Sequence, residues 1–258
     1  ITKDPTVGLY YDGVYAARSS GLLADLSELE RVEILRGPQG TLFGKNTVSG
    51  AINLVTKKPG EETEGEFQVD YGNEGYARGA GYLSGKLADG LYASGSLSYD
   101  ENDGYYRNTT LNTDTGDYDR TAWRANLRWL PTDQLEIILS GDGSDYDSND
   151  VVATQRAEPA FKSSSNIEGR DEVKYWGSSL TVNYDIGEYQ LTSISAYRDS
   201  NYDLRADDDL TPLDIQVTTF GEDVTQFSQE LRLVSPKEEH YDWVAGLYYF
   251  DGDQEANN

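Results

Sequence analysis

The stretch Arg31-Val-Glu-Ile-Leu-Arg-Gly-Pro-Gln-Gly-Thr-Leu-Phe-Gly-Lys-Asn-Thr-Val-Ser-Gly-Ala-Ile-Asn-Leu-Val-Thr-Lys-Lys-Pro59 decides the fold. It reads as two short strands around a glycine-punctuated loop. Val32, Ile34 and Leu35 make the first apolar run, and Ala51, Ile52, Leu54 and Val55 make the second. Between them Gly37-Pro38, Gly40, Gly44 and Gly50 interrupt regular structure and permit positive φ or close backbone approach. A phosphate-binding P-loop fails here. Gln39 stands where its first glycine belongs, and Lys45 is followed by Asn46 rather than Ser or Thr.

Outward from this stretch, the chain changes character. Residues 1–59 are mixed strand and loop, with a short helix expected near Leu22–Leu29, where Asp25 and Ser27 offer caps ahead of Glu28. Lys57-Lys58-Pro59-Gly60 closes this unit, and Glu61-Glu62-Thr63-Glu64 is a polar linker. From Gly65 the period becomes two. Phe67, Val69 and Tyr71 alternate with Glu66, Gln68 and Asp70; Trp123, Ala125, Leu127 and Trp129 alternate with Arg124, Asn126 and Arg128. The same pattern predicts nine strands, at about 65–72, 77–88, 91–101, 120–130, 134–146, 173–186, 188–202, 223–235 and 241–250. Most reach the roughly ten residues that a tilted strand needs to cross a bilayer.

The connections add a second signal. Tight turns are expected at Ala88-Asp89-Gly90, Pro131-Thr132-Asp133, Asp185-Ile-Gly187 and Ser235-Pro-Lys237. They alternate with long connections at about 102–119, 147–172 and 203–222, only Gly72–Tyr76 being short on that side. Sorted loop lengths suit a membrane barrel with two unlike rims better than a soluble sandwich. Tyr99, Trp129, Tyr146, Tyr184, Tyr189, Trp243 and Tyr249 lie near strand ends, as interfacial aromatics do.

Composition agrees. The chain has 258 residues, 26 glycines, 20 tyrosines and no Cys or Met, with a net charge of −25. That charge argues against nucleic acid as a partner, because phosphates would be repelled. No apolar run approaches the length of a transmembrane helix, which leaves barrels open since their strands alternate.

Val7-Gly-Leu-Tyr-Tyr-Asp-Gly-Val-Tyr15, then Glu30-Arg-Val-Glu-Ile-Leu-Arg-Gly-Pro-Gln-Gly-Thr-Leu-Phe-Gly44, then Gly50-Ala-Ile-Asn-Leu-Val-Thr-Lys-Lys-Pro59 closely resemble the plug domain of TonB-dependent outer-membrane receptors, with Phe43 where that family often has Tyr. The resemblance implies an all-β fold: a transmembrane antiparallel β-barrel, here about nine strands of an expected 22, with an N-terminal α+β plug. Residues 1–60 would be the C-terminal part of the plug and residues 65–258 the first part of the barrel. About thirteen strands would follow Asn258, and the segment that binds TonB by strand addition would lie outside this chain.

The resemblance also implies roles. The outward plug loop would touch a ligand through Tyr15, Arg18, Ser19 and Ser20. Arg36, with Arg31 and Glu33 beside it, would lock the plug to a barrel carboxylate such as Glu230, and Gly37, Gly40 and Gly44 would shape the plug loop. The implied partners are TonB, outer-membrane lipid and an extracellular small molecule such as a ferric siderophore. The implied location is the outer membrane of a Gram-negative bacterium, and no cofactor is implied. A non-transporting barrel or a surface adhesin is the competing class, and a secreted carbohydrate-active β protein a more distant one.

Little in the sequence suggests catalysis. The single histidine, His240, sits in an acidic turn, there is no thiol, and no serine occupies a nucleophile elbow. Asp142, Asp145, Asp147 and Asp150 form an oxygen-rich run read as a loop, a weak Ca²⁺ candidate without a complete EF-hand pattern. Asp207-Asp208-Asp209 is a second acidic cluster.

Overall fold

The structure, a computed structural model, describes residues 6–16, 28–40, 46–149, 161–237 and 241–257. Its first unit is a four-stranded sheet in the order β2-β1-β4-β3, built from β1 (Val7–Tyr11), β2 (Val14–Ala16), β3 (Leu29–Arg36) and β4 (Gly50–Thr56). Asp12-Gly13 turns β1 into β2 with both residues at positive φ, the geometry an Asp-Gly pair supplies most readily. β1 runs parallel to β4, and β3 pairs antiparallel with it. The helix expected near Leu22–Leu29 lies almost wholly outside the described residues, and Leu29 itself opens β3.

The second unit is a nine-stranded antiparallel meander. It comprises β5 (Glu64–Tyr71), β6 (Ala77–Ala88), β7 (Leu91–Asn102), β10 (Tyr118–Thr132), β11 (Leu135–Ser148), β13 (Arg170–Ile186), β14 (Tyr189–Asp207), β15 (Val217–Val234) and β16 (Val244–Asn257). All nine strands expected from the period-two pattern are present, several extended toward the long-connection rim. In those connections β8 (Tyr106–Asn108), β9 (Thr113–Thr115) and β12 (Lys162–Ser163) form a small sheet too short to leave a periodic signal. Two turn expectations shift. Pro131 and Thr132 end β10 after a bulge, and the connection after β15 runs on to Trp243, whose carbonyl accepts from the Ser235 N–H at 3.0 Å.

The two faces of the meander are inverted relative to a soluble protein. Trp123, Trp129 and Trp176 are each between 44% and 48% exposed, and their apolar neighbours Leu127 and Leu139 on the same face are exposed as well. The opposite face buries Ser94, Ser96, Ser98, Arg124, Asn126 and Asp142. An apolar outside and a polar inside suit lipid around a barrel wall, not water around a sandwich. Tyr146 departs from the expected girdle: it lies on the inner face and stacks with Tyr118 at 5.9 Å.

The acidic run is also corrected. Asp142, Asp145 and Asp147 belong to strand β11, so alternate side chains diverge: Asp142 is buried inward while Asp145 and Asp147 are exposed. Asp150 lies outside the described residues, and among the described residues no acidic group has the clustering of a metal site.

Candidate functional site: the seat of the small sheet on the wall

The four-stranded sheet meets the inner face of the meander from β6 to β16. Lys57 Nζ lies 5.4 Å from the Tyr82 ring centre on β6, and Lys58 Nζ donates to Glu136 on β11 at 2.9 Å. Arg128 Nη1 on β10 donates to the Pro59 carbonyl at 3.1 Å. Tyr175 on β13 packs with Tyr11, Ala16 and Leu54, and Val14 packs with Ile194 and Ala196 on β14. Gln226 on β15 donates to the Tyr15 carbonyl at 2.6 Å, and Phe250 on β16 meets the Tyr15 ring at 6.0 Å. Eight strands spaced by about 4.8 Å span about 34 Å, more than twice the width of four strands. The meander must therefore curve around the small sheet to touch it throughout.

At the centre of this seat is a buried ion cluster. Asp12, held at the β1–β2 turn, accepts from Thr56 N and Thr56 Oγ1 at 2.8 Å each and from Arg124 Nη2 at 2.5 Å. Arg124 also approaches Glu28 Oε1 at 3.4 Å through Nε, and its Nη1 donates to Asp142 Oδ1 at 3.0 Å. The second oxygen of Asp142 accepts from Arg198 Nη1 at 2.9 Å. The guanidinium of Arg124 sits 4.4 Å from the Tyr11 ring centre, a cation–π contact inside a closed seat. Arg124 is 5% exposed and Glu28 1%, so neither charge has water to fall back on.

Burial pushes the Tyr10 and Tyr11 hydroxyls well above the ordinary tyrosine range, with the Arg124 charge pulling Tyr11 partly back. Their folded values are raised, so the stabilisation is intact below the unfolded value near 10 and is lost as pH rises through the folded values. Alkaline titration of the membrane-embedded protein should therefore loosen the small sheet from about pH 10 upward, read as solute leakage appearing together with phenolate absorbance.

Three comparisons bear on what this arrangement is. The family model TonB-dependent Receptor Plug Domain matches residues 2–51. The pesticin receptor of Yersinia pestis is 28% identical over 215 residues, 77% of this chain and 30% of that protein. An iron-regulated outer membrane virulence protein of Vibrio cholerae is 39% identical over 49 residues, 19% of this chain and 8% of its own length. The crystal structure of the ferric yersiniabactin uptake receptor FyuA from Yersinia pestis superposes with a TM-score of 0.85 at 25% identity, covering 98% of this chain and 40% of that one. Residues 2–51 match the plug domain of TonB-dependent receptors, and the chain is similar to these receptors in sequence and fold. It spans under half the length of these relatives, and the meander is outer-membrane barrel wall of a Gram-negative bacterium.

The expected lock residues do not come together. Arg36 is exposed and forms no ion pair among the described residues; its carbonyl accepts from Gln39 Nε2 at 3.3 Å. Glu230 is half-buried near Tyr10 and Tyr248 and pairs with Arg232 at 3.4 Å. At the buried cluster plug carboxylates meet a barrel arginine, the reverse of the expectation, while Lys58 pairs with Glu136 in the expected sense. Arg31 and Glu33 pair with each other at 2.8 Å, and Asn53 Nδ2 donates to Glu33 at 2.9 Å, while Asn53 Oδ1 accepts from the Gly13 N–H at 3.2 Å. That relay ties β3 to the Asp12 turn. The Asn53 and Arg31 hydrogen bonds hold the Glu33 carboxyl below its usual range.

Gly37 takes a positive φ at the end of β3 and Gly40 is exposed, while Gly44 lies outside the described residues. Tyr15 is 2% exposed, with its hydroxyl accepting from Asn46 Nδ2 at 2.7 Å. Arg18, Ser19, Ser20 and His240 are outside the described residues. The sequence reading missed Asp12, Glu28, Arg124 and Arg198. One signal was present: Gly177 faces Arg198 across the β13–β14 pair, and a Cβ there would lie 2.9 Å from Arg198 Nη1 and 3.0 Å from its Cγ.

Proposed function

We propose that this chain is part of an energy-coupled importer of a ferric siderophore, not an enzyme. The observation that carries the reading is the small sheet seated inside the curved wall by buried, reversible polar contacts rather than by a continuous apolar core. A plain pore or an adhesin has no use for such a stopper. Support also comes from relatives named for pesticin and for ferric yersiniabactin uptake. Residues 1–60 act as plug and residues 65–258 as wall. TonB, engaging a segment outside this chain, pulls on the plug, and ligand held at the outer mouth passes inward. Arg18, Ser19 and Ser20 contact the ligand, with arginine offering a fork to carboxylate or catecholate oxygens.

The test is growth of a deletion strain, complemented with the full receptor, on a panel of purified ferric siderophores under iron limitation. Growth rescue by at least one siderophore, dependent on TonB, is expected. Rescue by none, with cobalamin or a glycan restored instead, would replace the cargo assignment.

A further inference from the structure

With the plug seated, the central cluster counts, among the described residues, three carboxylates, Asp12, Glu28 and Asp142, against two guanidiniums, Arg124 and Arg198. Two of the carboxylates belong to the plug. Their departure leaves Arg124 and Arg198 around Asp142 alone, and the local balance passes from −1 to +1. The neighbouring ion pairs on the wall do not behave this way. Arg120 with Asp100 and Arg232 with Glu230 are each one to one within the wall itself, and Arg128 with Glu136 loses only the plug's Lys58, which takes it toward neutral rather than to a positive charge.

We propose that this cluster is a masked anion site: plug withdrawal converts it into a cationic station on the channel wall that takes an anionic metal chelate through its carboxylate, catecholate or hydroxamate oxygens. The inference rests on the importer reading given above. Two features of the wall point to a ligand rather than to plug retention alone. Arg198 makes no contact with the plug in the ion cluster, yet it is held beside Arg124 through the shared Asp142. Its Nε–H is buried and donates to no acceptor among the described residues. A retained, unused donor on a nine-tenths-buried guanidinium is costly unless something occupies it at another stage. Gly177 keeps the space that this guanidinium fills. Two forks about one carboxylate present planar, bidentate donors of the kind that recognise anionic oxygens.

The experiment uses the full receptor carrying Arg198→Gln or Arg198→Lys, since Arg198 is the arginine whose loss leaves the Arg124 contacts to Asp12 and Glu28 in place. In planar bilayers with a potassium chloride gradient, urea on the periplasmic side unfolds the plug and opens the pore. Arg198→Gln is expected to lower the chloride-to-potassium permeability ratio at least about two-fold, and Arg198→Lys to keep it near wild type. In cells, Arg198→Gln should slow uptake of the growth-restoring siderophore about tenfold while leaving surface binding unchanged. Equal permeability ratios in wild type and Arg198→Gln would overturn the masked site. Absence of uptake of any siderophore by wild type would overturn the importer reading instead, and the conductance result would still judge the wall.

Discussion

Replacing Arg124 with alanine is expected to unseat the plug. Glu28 and Asp142, both buried, and the partly buried Asp12 would lose a common counter-charge, and breaking one partner of a buried ion cluster costs about 3–5 kcal/mol because the stranded charges remain. Asp142 keeps Arg198 and Asp12 keeps Thr56, while Glu28, which is 1% exposed, loses its contact with Arg124 Nε at 3.4 Å. In the full receptor the result should be leakage of small solutes and loss of protease resistance in residues 6–56. Arg124→Met combined with Glu28→Gln should recover part of the loss, since it removes a stranded charge together with its partner. Unchanged leakage and protease resistance in Arg124→Ala would show that apolar contacts alone hold the seat.

The wall was legible because it is periodic. Trp123, Leu127 and Trp129 face one side and Arg124, Asn126 and Arg128 the other at any register, so alternation alone predicts strand and face. Turns were legible where a glycine ends them, as at Asp89-Gly90. They were misplaced where proline stood in for that signal, since Pro131 sits in the last bulged residues of β10. Acidity misled, because Asp142 and Asp145 look alike in sequence but face opposite sides of one strand. Apart from Gly177 opposite Arg198, the ion cluster was not legible. Arg124 and Asp12 are separated by 112 positions, and nothing local distinguishes Arg124 from Arg128, whose own partner is Glu136. Which inward arginine meets the plug depends on how the wall curves and how deep the plug sits, and both are tertiary facts. The motif around Arg36 drew attention to the plug but not to its points of attachment.

The glycine-rich stretch makes the second large prediction. Gly50 opens β4 opposite Arg36 at a φ of +156°, and a Cβ built there would lie 2.5 Å from the Leu35 carbonyl oxygen. That neighbour is backbone within the same sheet, so it cannot swing aside as a side chain would. Gly50→Ala should cost about 2–6 kcal/mol, from left-handed strain of roughly 1–3 and overpacking of roughly 1–3. The damage would propagate along a defined route. β4 is the central strand of the small sheet, paired to β3 on one side and β1 on the other, so a slipped Gly50 moves the Val7–Tyr11 register and with it the Asp12 turn. The expected result is therefore a lower melting temperature for the plug transition together with the leakage seen for Arg124→Ala, while the barrel transition stays unmoved. Gly187→Ala is the contrast, because that residue also has a positive φ but its Cβ would meet nothing within 4 Å. Only the backbone strain applies there, and it falls on a wall turn between β13 and β14, away from the plug. Equal plug stability in the two variants would mean that the β3–β4 pair yields at Gly50 rather than holding the rest of the sheet in register.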